Sequence, residues 1–137
     1  PVSGEGFDAA ELQADPADTE AIRASPGGLL SGAFGESHPD VVDRIVGWRI
    51  DEDATPEAQA AQRAALDGFD AEPLYELTRP ALVVAGGRDS VVDSDDSRRL
   101  AADLPRGEFQ EYPEAGHLLT VERSAPLNDT LVGWLDE

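Results

Sequence analysis

The stretch that most constrains the fold is a run of small and β-branched apolar residues that leads into a glycine turn. Residues 81–85 read Ala-Leu-Val-Val-Ala and are followed by Gly86, Gly87 and then a carboxylate, Asp89. Because the run does not alternate between apolar and polar positions, it predicts a strand buried on both faces, as in a parallel sheet. Asp89 is then expected just beyond the carboxyl end of that strand, where α/β proteins place functional side chains.

The chain after Asp89 alternates between predicted helix and predicted strand. A helix is predicted from Asp93 or Ser94 to about Leu104, a second strand over 108–112, and a closing helix from near Pro126. The closing helix is expected to turn four side chains inward: Leu127, Leu131, Trp134 and Leu135. This order predicts right-handed crossovers and a parallel pair of strands. Since two strands alone make a weak sheet, we interpret the chain as the C-terminal piece of a larger one.

The first half of the chain is predicted to be helical. Short helices are predicted over 9–14 and 18–25, and longer ones over 39–51 and 55–69. The helix over 39–51 has an apolar stripe of Val41, Ile45 and Trp48, with Val42 and Val46 beside it. The helix over 55–69 turns Ala58, Ala61, Ala65 and Phe69 to one side, next to Leu66. We expect these two long helices to form a pair that buries apolar surface against another part of the fold.

The charge balance restricts the partners and the cellular setting. The sequence carries 29 acidic residues against 10 basic ones, all arginine, for a net charge of −19, yet 40% of its residues are hydrophobic. Such a surface argues against nucleic acid or an anionic membrane as a partner. We interpret it as a salt-adapted, haloarchaeal protein, with an acidic mesophilic protein as the alternative. The sequence has no cysteine and no apolar run long enough for a bilayer, so a cytoplasmic location is predicted.

The second candidate functional residue is His117, in the loop Glu114-Ala115-Gly116-His117 that follows the second predicted strand. A carboxylate that accepts a hydrogen bond from one imidazole nitrogen fixes the tautomer and stabilises the imidazolium. The other nitrogen can then act as a general base. Taken separately, Asp89 is more typical of a plain turn, and His117 of a surface loop, than of a catalytic site. Their order within strand-helix-strand-helix favours a catalytic pair.

Four pieces of the second half match a known family. They are residues 79–92, 100–105 and 112–117, and the helix that begins near 126–128. On these pieces the chain resembles the C-terminal third of α/β-hydrolase-fold enzymes, and the esterases and 3-oxoadipate enol-lactonase relatives fit best. The resemblance implies an α/β fold class: the C-terminal portion of an α/β-hydrolase fold, with two parallel strands and flanking helices, preceded by a helical cap.

The resemblance also implies a role for each candidate residue and a division of the chain. Asp89 would be the acid of a catalytic triad, after the seventh strand of that fold, and His117 the base, after the eighth. Residues 1–71 look like the helical cap or lid, and residues 72–137 like the core segment that carries acid and base. The implied activity of the parent protein is hydrolysis of a small carboxylic ester or lactone.

The sequence departs from the family pattern at the nucleophile. The fold requires a Gly-x-Ser-x-Gly elbow on a strand-to-helix turn, and the 137 residues contain none. The nearest substitute is Gly35-Glu36-Ser37-His38-Pro39, but no apolar strand precedes it and Pro39 is typical of a helix start. We therefore do not interpret Ser37 as the nucleophile. We expect this chain alone to be inactive and to need the N-terminal half of the fold as a partner.

Two other interpretations stay open at this stage. The chain could be a non-enzymatic half-fold that associates through an exposed sheet edge, with itself or with an N-terminal partner. It could also belong to a dehalogenase- or epoxide-hydrolase-like parent, in which aspartate replaces the serine. No cofactor or metal is predicted, because Gly86-Gly87 lacks the rest of a phosphate-binding pattern and the two histidines are far apart. Phe34, Trp48 and Phe69 are candidates for an acyl pocket or for the core of the cap.

Overall fold

The computed structural model describes residues 18–66, 69 and 73–136. Its helices before the sheet are α1 Thr19–Ala24, α2 Pro26–Leu29, α3 Gly32–Ser37, α4 Pro39–Glu52 and α5 Pro56–Leu66, and a short 3₁₀ turn covers Leu74–Glu76. The second half comprises β1 Ala81–Gly86, α6 Ser94–Asp103, β2 Gly107–Tyr112, α7 Leu119–Glu122 and α8 Ser124–Leu135. The helix predicted over 9–14 and the boundary predicted at residue 71 lie outside the described residues.

β1 and β2 form a parallel pair, as the sequence predicts. Ala81 lies opposite Gly107, and the register continues to Gly86 opposite Tyr112. Helix α6 connects the two strands and packs on both. Ala85 is buried, whereas residues 81–84 are only partly buried, because β2 is the one strand that pairs with β1 among the described residues. The burial expected on both faces of β1 is thus reached only near its carboxyl end.

The apolar core of the second half lies directly beneath the histidine loop. It consists of buried Ala115, Leu119 and Leu127, with Val84 and Tyr112 packed against them. The Tyr112 hydroxyl forms a hydrogen bond with Thr130 Oγ1, and the two oxygen atoms are 2.9 Å apart. This cluster joins β1, β2, α7 and α8, so it fixes the loop between β2 and α7 from below.

The inward face predicted for the closing helix is correct only near its start. Leu127 is buried, but Leu131 is 37% exposed and Leu135 is 73% exposed. Trp134 is partly buried, and its Nε1–H donates to Glu108 Oε1 at 3.1 Å. The expectation for Leu131 and Leu135 is wrong within the described chain, because α8 extends past the small surface that two strands and α7 provide.

The helix predicted over 39–51 is α4, but its buried face differs from the predicted stripe. Ile45, Val46 and Arg49 are buried, whereas Trp48 is 55% exposed. Arg49 takes the inward position because α1 packs on α4 and Ser25, directly after α1, supplies a polar partner: Arg49 Nη1 donates to Ser25 Oγ. Its Nε also donates to Asp53 Oδ2 at 2.8 Å.

The apolar face predicted over 55–69 is not buried. Helix α5 has no buried residue along Pro56–Leu66, and Phe69 is half exposed. Ala58, Ala61 and Ala65, which are predicted to face one way, are exposed within the described residues, and burial of this face against another part of the fold stays a prediction. Alanine methyl groups remove little apolar area from water, so they give the helix little free energy for docking.

Candidate acid–base site

The turn after β1 is built to hold a carboxylate. Gly87 N–H donates to Tyr112 O at 2.9 Å, and Arg88 N–H donates to Ala115 O at 2.9 Å. The Asp89 Oδ1 atom then accepts the backbone N–H groups of Val91, at 2.8 Å, and Val92, at 3.0 Å. An aspartate that bonds the backbone two and three residues ahead fixes its own turn and its own rotamer. The orientation of the Asp89 carboxylate is therefore fixed by its own turn and does not depend on another side chain.

His117 is that partner. Its Nδ1 lies 3.0 Å from Asp89 Oδ2 and 3.2 Å from Oδ1. The side chain of Asp89 is 8% exposed and that of His117 is 27% exposed. An ionised carboxylate can only accept, so the hydrogen of the neutral imidazole sits on Nδ1 and Nε2 carries the lone pair. The structure thus brings together the two residues that the sequence singles out, in the geometry of an acid–base pair.

Glycines allow the two loops to meet this closely. A Cβ built on Gly86 would overlap Gly116 O and would lie 2.5 Å from Ala115 O. A Cβ built on Gly116 would lie 2.8 Å from Ser31 N. Backbone therefore packs against backbone on both sides of the histidine loop, and side chains at these two positions would force the layers apart.

A buried glutamate that the sequence analysis missed lies behind the histidine loop. The Oε1 atom of Glu122 accepts Gly116 N–H at 2.8 Å and Ser31 N–H at 2.9 Å. Its Oε2 accepts the Ser31 hydroxyl at 2.5 Å. The signal that could have found Glu122 is a carboxylate directly after the mostly apolar stretch 118–121, close behind the candidate His117.

Residues 28–31, which we call the strap, contact both loops of the site. Ser90, next to Asp89, donates its hydroxyl to Gly28 O. Leu118 N–H donates to Leu29 O at 3.0 Å, and Ser31 is held by Glu122. The strap belongs to the helical first half, so the two halves of the chain meet at the acid–base pair.

Ser37 has a different setting from that of a nucleophile. It is exposed, and its hydroxyl donates to Ala33 O at 2.6 Å. His38 Nδ1 lies 3.0 Å from Ser37 Oγ and 3.2 Å from Phe34 O. Since a carbonyl oxygen only accepts, Nδ1 of the neutral His38 ring carries the hydrogen and is no base for Ser37. The His38 ring stacks on Phe34 with centroids 4.1 Å apart.

The three aromatic residues that the sequence suggests for an acyl pocket are not part of the hydrogen-bonded Asp89–His117 site. Phe34 is occupied by its stack with His38, and Trp48 and Phe69 are exposed; a role for the three in an acyl pocket stays a prediction. In residues 18–66, 69 and 73–136, no group of three or more potential metal ligands is assembled. No helix in the described part of the chain is both long and apolar enough to cross a membrane.

Comparison with known proteins identifies the fold. The chain is 30% identical over 115 residues to a putative carbamate hydrolase, RutD, of Serratia proteamaculans, and the match covers 83% of this chain and 43% of that protein. It superposes on the enol-lactonase of Burkholderia xenovorans with a TM-score of 0.75 at 24% identity, over 94% of this chain and 48% of that one. For an esterase of Thermogutta terrifontis the TM-score is 0.69 at 26% identity, over 86% and 47%. No family model matches the chain.

These relatives and structural neighbours are α/β hydrolases, and the chain has the fold of their C-terminal portion. It spans less than half the length of the three proteins named above. The prediction of fold class from the sequence is confirmed.

Proposed function

We propose that this chain is part of a serine α/β hydrolase and supplies the acid, Asp89, and the base, His117, of a Ser-Asp-His triad. The nucleophile lies outside these 137 residues. The observation that carries the proposal is the 3.0 Å contact between Asp89 Oδ2 and His117 Nδ1 at the carboxyl ends of two parallel strands. That contact leaves Nε2 as the basic nitrogen, which is the atom that an attacking serine hydroxyl needs.

The chemistry of such a triad assigns each group a step. His117 Nε2 takes the serine proton while the serine oxygen attacks the carbonyl carbon, and Asp89 stabilises the imidazolium that forms. The imidazolium then protonates the leaving alcohol, which leaves an acyl-enzyme. Water attacks this ester with the same histidine as base, and the acid is released. The donors that stabilise the oxyanion belong, like the serine, to the part of the fold outside this chain.

A small carboxylic ester or lactone is the proposed substrate. The relatives are named for a carbamate, a lactone and esters, all of which are cleaved at a carbonyl carbon that bears a leaving oxygen or nitrogen. Residues 1–71 are proposed as the cap over that substrate and residues 72–137 as the core segment. The strap, which joins the helical half to both loops of the site, supports that division.

The cellular setting is proposed from composition alone. A net charge of −19 with no lysine and no cysteine fits the cytoplasm of a salt-adapted, haloarchaeal cell, where surface acids stay hydrated and their repulsion is screened. The alternative is a non-enzymatic half-fold that associates through the exposed edge of its sheet, with itself or with an N-terminal partner. Val132 and Leu135 on α8 are largely exposed, and such a surface suits either a second copy or an N-terminal half.

Ester hydrolysis tests the proposal. The 137-residue chain and a longer protein that contains it with the preceding half of the fold are each assayed on p-nitrophenyl butyrate in molar KCl, with H117A versions as controls. We expect turnover only by the longer protein, and its loss in H117A. Turnover by the short chain that depends on His117 would contradict the assignment of the nucleophile. A longer protein that is folded and inactive would favour the half-fold interpretation.

A further inference from the structure

We propose that Glu122 is a positioning residue that holds His117 against Asp89 by binding the histidine loop to the strap. The proposal rests on the proposed function, because it concerns the same acid–base pair. Glu122 does not touch the reacting atoms; it acts through the backbone next to His117.

The environment of Glu122 is specialised for an anion. Glu122 is 8% exposed, and a carboxylate removed from water needs hydrogen-bond donors to offset the lost hydration. Two backbone N–H groups and one hydroxyl supply them, from Gly116 and Ser31. Hydrogen bonds to an ionised acceptor are the strong ones in proteins. Glu122 therefore reaches a segment that lies 91 residues away in the sequence and ties it to the histidine loop.

The effect on His117 follows from where these bonds fall. Gly116, directly before His117, donates its N–H to Glu122. Leu118, directly after it, donates its N–H to Leu29 O in the strap. The backbone is thus fixed on both sides of His117, and both attachments lead to residues 28–31. Ser90 attaches the loop of Asp89 to the same strap through Gly28 O, so the strap contacts the loops of both the acid and the base.

If Glu122 had only a structural role, its replacement would change only the stability of the fold. A positioning role also predicts that the tautomer of His117 depends on Glu122. With Asp89 in contact, the neutral ring carries its hydrogen on Nδ1. If the loop drifts, Nδ1 loses its acceptor and the Nε2–H form becomes populated. The ring of His38, which is exposed and stacked on Phe34, is the other histidine of the chain and serves as an internal reference.

The test measures ¹⁵N shifts and two-bond couplings of the imidazole rings in the full 137-residue chain, at a pH where both rings are neutral. We compare wild type with E122A, E122Q and the matched control E114Q. Glu114 lies on the same loop, but it is exposed and pairs with Arg88. In E122A we expect the ratio of the Nδ1–H form of His117, bound to Asp89, to the other ring forms to fall about tenfold. This is the effect of losing about one charge-assisted hydrogen bond, the one from Gly116 N–H to Glu122.

The other variants should keep the wild-type tautomer. In E122Q the amide oxygen can accept both N–H groups and the amide nitrogen can donate to the Ser31 hydroxyl, and E114Q leaves the strap intact. If E122A loses its fold, E122D replaces it, because the shorter carboxylate cannot reach Gly116 and Ser31 together. An unchanged His117 tautomer in folded E122A or E122D overturns the proposal.

The same spectra separate this inference from the proposed function. A wild-type His117 that already shows the tautomer mixture of a free ring contradicts the Asp89–His117 pair and, with it, the role of Glu122. A wild-type His117 with Nδ1–H, unchanged in E122A, leaves the pair standing and removes only Glu122 from it.

Discussion

Gly86 at the end of β1 and Gly116 in the histidine loop are in backbone contact: a Cβ on Gly86 would overlap the carbonyl oxygen of Gly116 and would lie 2.5 Å from that of Ala115. This contact places the histidine loop on the end of the strand that delivers Asp89. The space between the two loops is therefore too small for even one methyl group.

The first prediction is that G86A destabilises the chain. The added methyl group must displace backbone atoms of the histidine loop, and overpacking of this kind typically costs about 1–3 kcal/mol. The free energy of unfolding, from urea titration in molar KCl, measures the loss. G133A is the control, because a Cβ there meets nothing within 4 Å and alanine favours a helix over glycine by about 1 kcal/mol. Equal stability of G86A and wild type would contradict the close contact.

The sequence predicts best those features whose residues lie close together along the chain. The apolar run of β1 and the glycine turn lie next to each other in the sequence, and this local pattern predicts both. The order strand-helix-strand-helix and the resemblance to α/β-hydrolase-fold enzymes predict the Asp89–His117 pair. The bond from Glu122 to Ser31 spans 91 residues, and no periodic pattern links such distant segments.

The errors in the helices have a common physical cause. Apolar periodicity shows which face of a helix prefers to be buried, but not whether another surface lies opposite. Leu135 on α8 keeps an inward pattern and yet is exposed. On α4, the buried position next to Trp48 is held by Arg49, whose long apolar stem and polar partners suit a half-polar contact with α1. Neither outcome follows from hydrophobicity along one helix.

The second prediction concerns Asp89. In D89N the amide oxygen still accepts the N–H groups of Val91 and Val92, so the turn is kept. The amide NH₂ now faces His117 Nδ1, which must accept, and the ring hydrogen moves to Nε2. A base in the wrong tautomer lowers kcat by about 10⁴-fold in a serine triad. Initial rates on p-nitrophenyl butyrate, with the longer protein that is proposed to be active, measure this.

The control for D89N is D93N, at the N-cap of α6, where the carboxylate accepts Asp95 N–H. D93N should keep kcat within a factor of a few, because it lies outside the acid–base pair. A D89N enzyme that is folded and as active as D93N would show that Asp89 is not the triad acid.

The third prediction concerns salt. At a net charge of −19 the folded chain repels itself, and the screening length falls from about 10 Å at 0.1 M salt to about 3 Å at 1 M. We therefore expect the Tm to rise steadily as KCl is raised from about 0.1 M into the molar range. Circular dichroism melts measure it, with sucrose of matched osmolality as the control. A Tm that does not change with KCl would contradict the salt-adapted interpretation.

The fourth prediction concerns the exposed end of α8. Val132 is 60% exposed and Leu135 is 73% exposed, on the helix that packs against the core through Leu127. An exposed apolar patch of this kind is typical of an interaction surface, so we expect the isolated chain to self-associate through it. Sedimentation equilibrium in molar KCl should show oligomers for wild type and monomers for the double variant V132D/L135D.

The comparison variant for α8 is Y75D, because Tyr75 is 71% exposed but lies in the 3₁₀ turn before β1. If Y75D stays associated while V132D/L135D is monomeric, the α8 face is the contact surface. Addition of the preceding half of the fold should then compete with self-association, because both partners would need the same apolar face. A wild-type chain that is monomeric at every concentration would exclude self-association and leave the N-terminal half as the proposed partner.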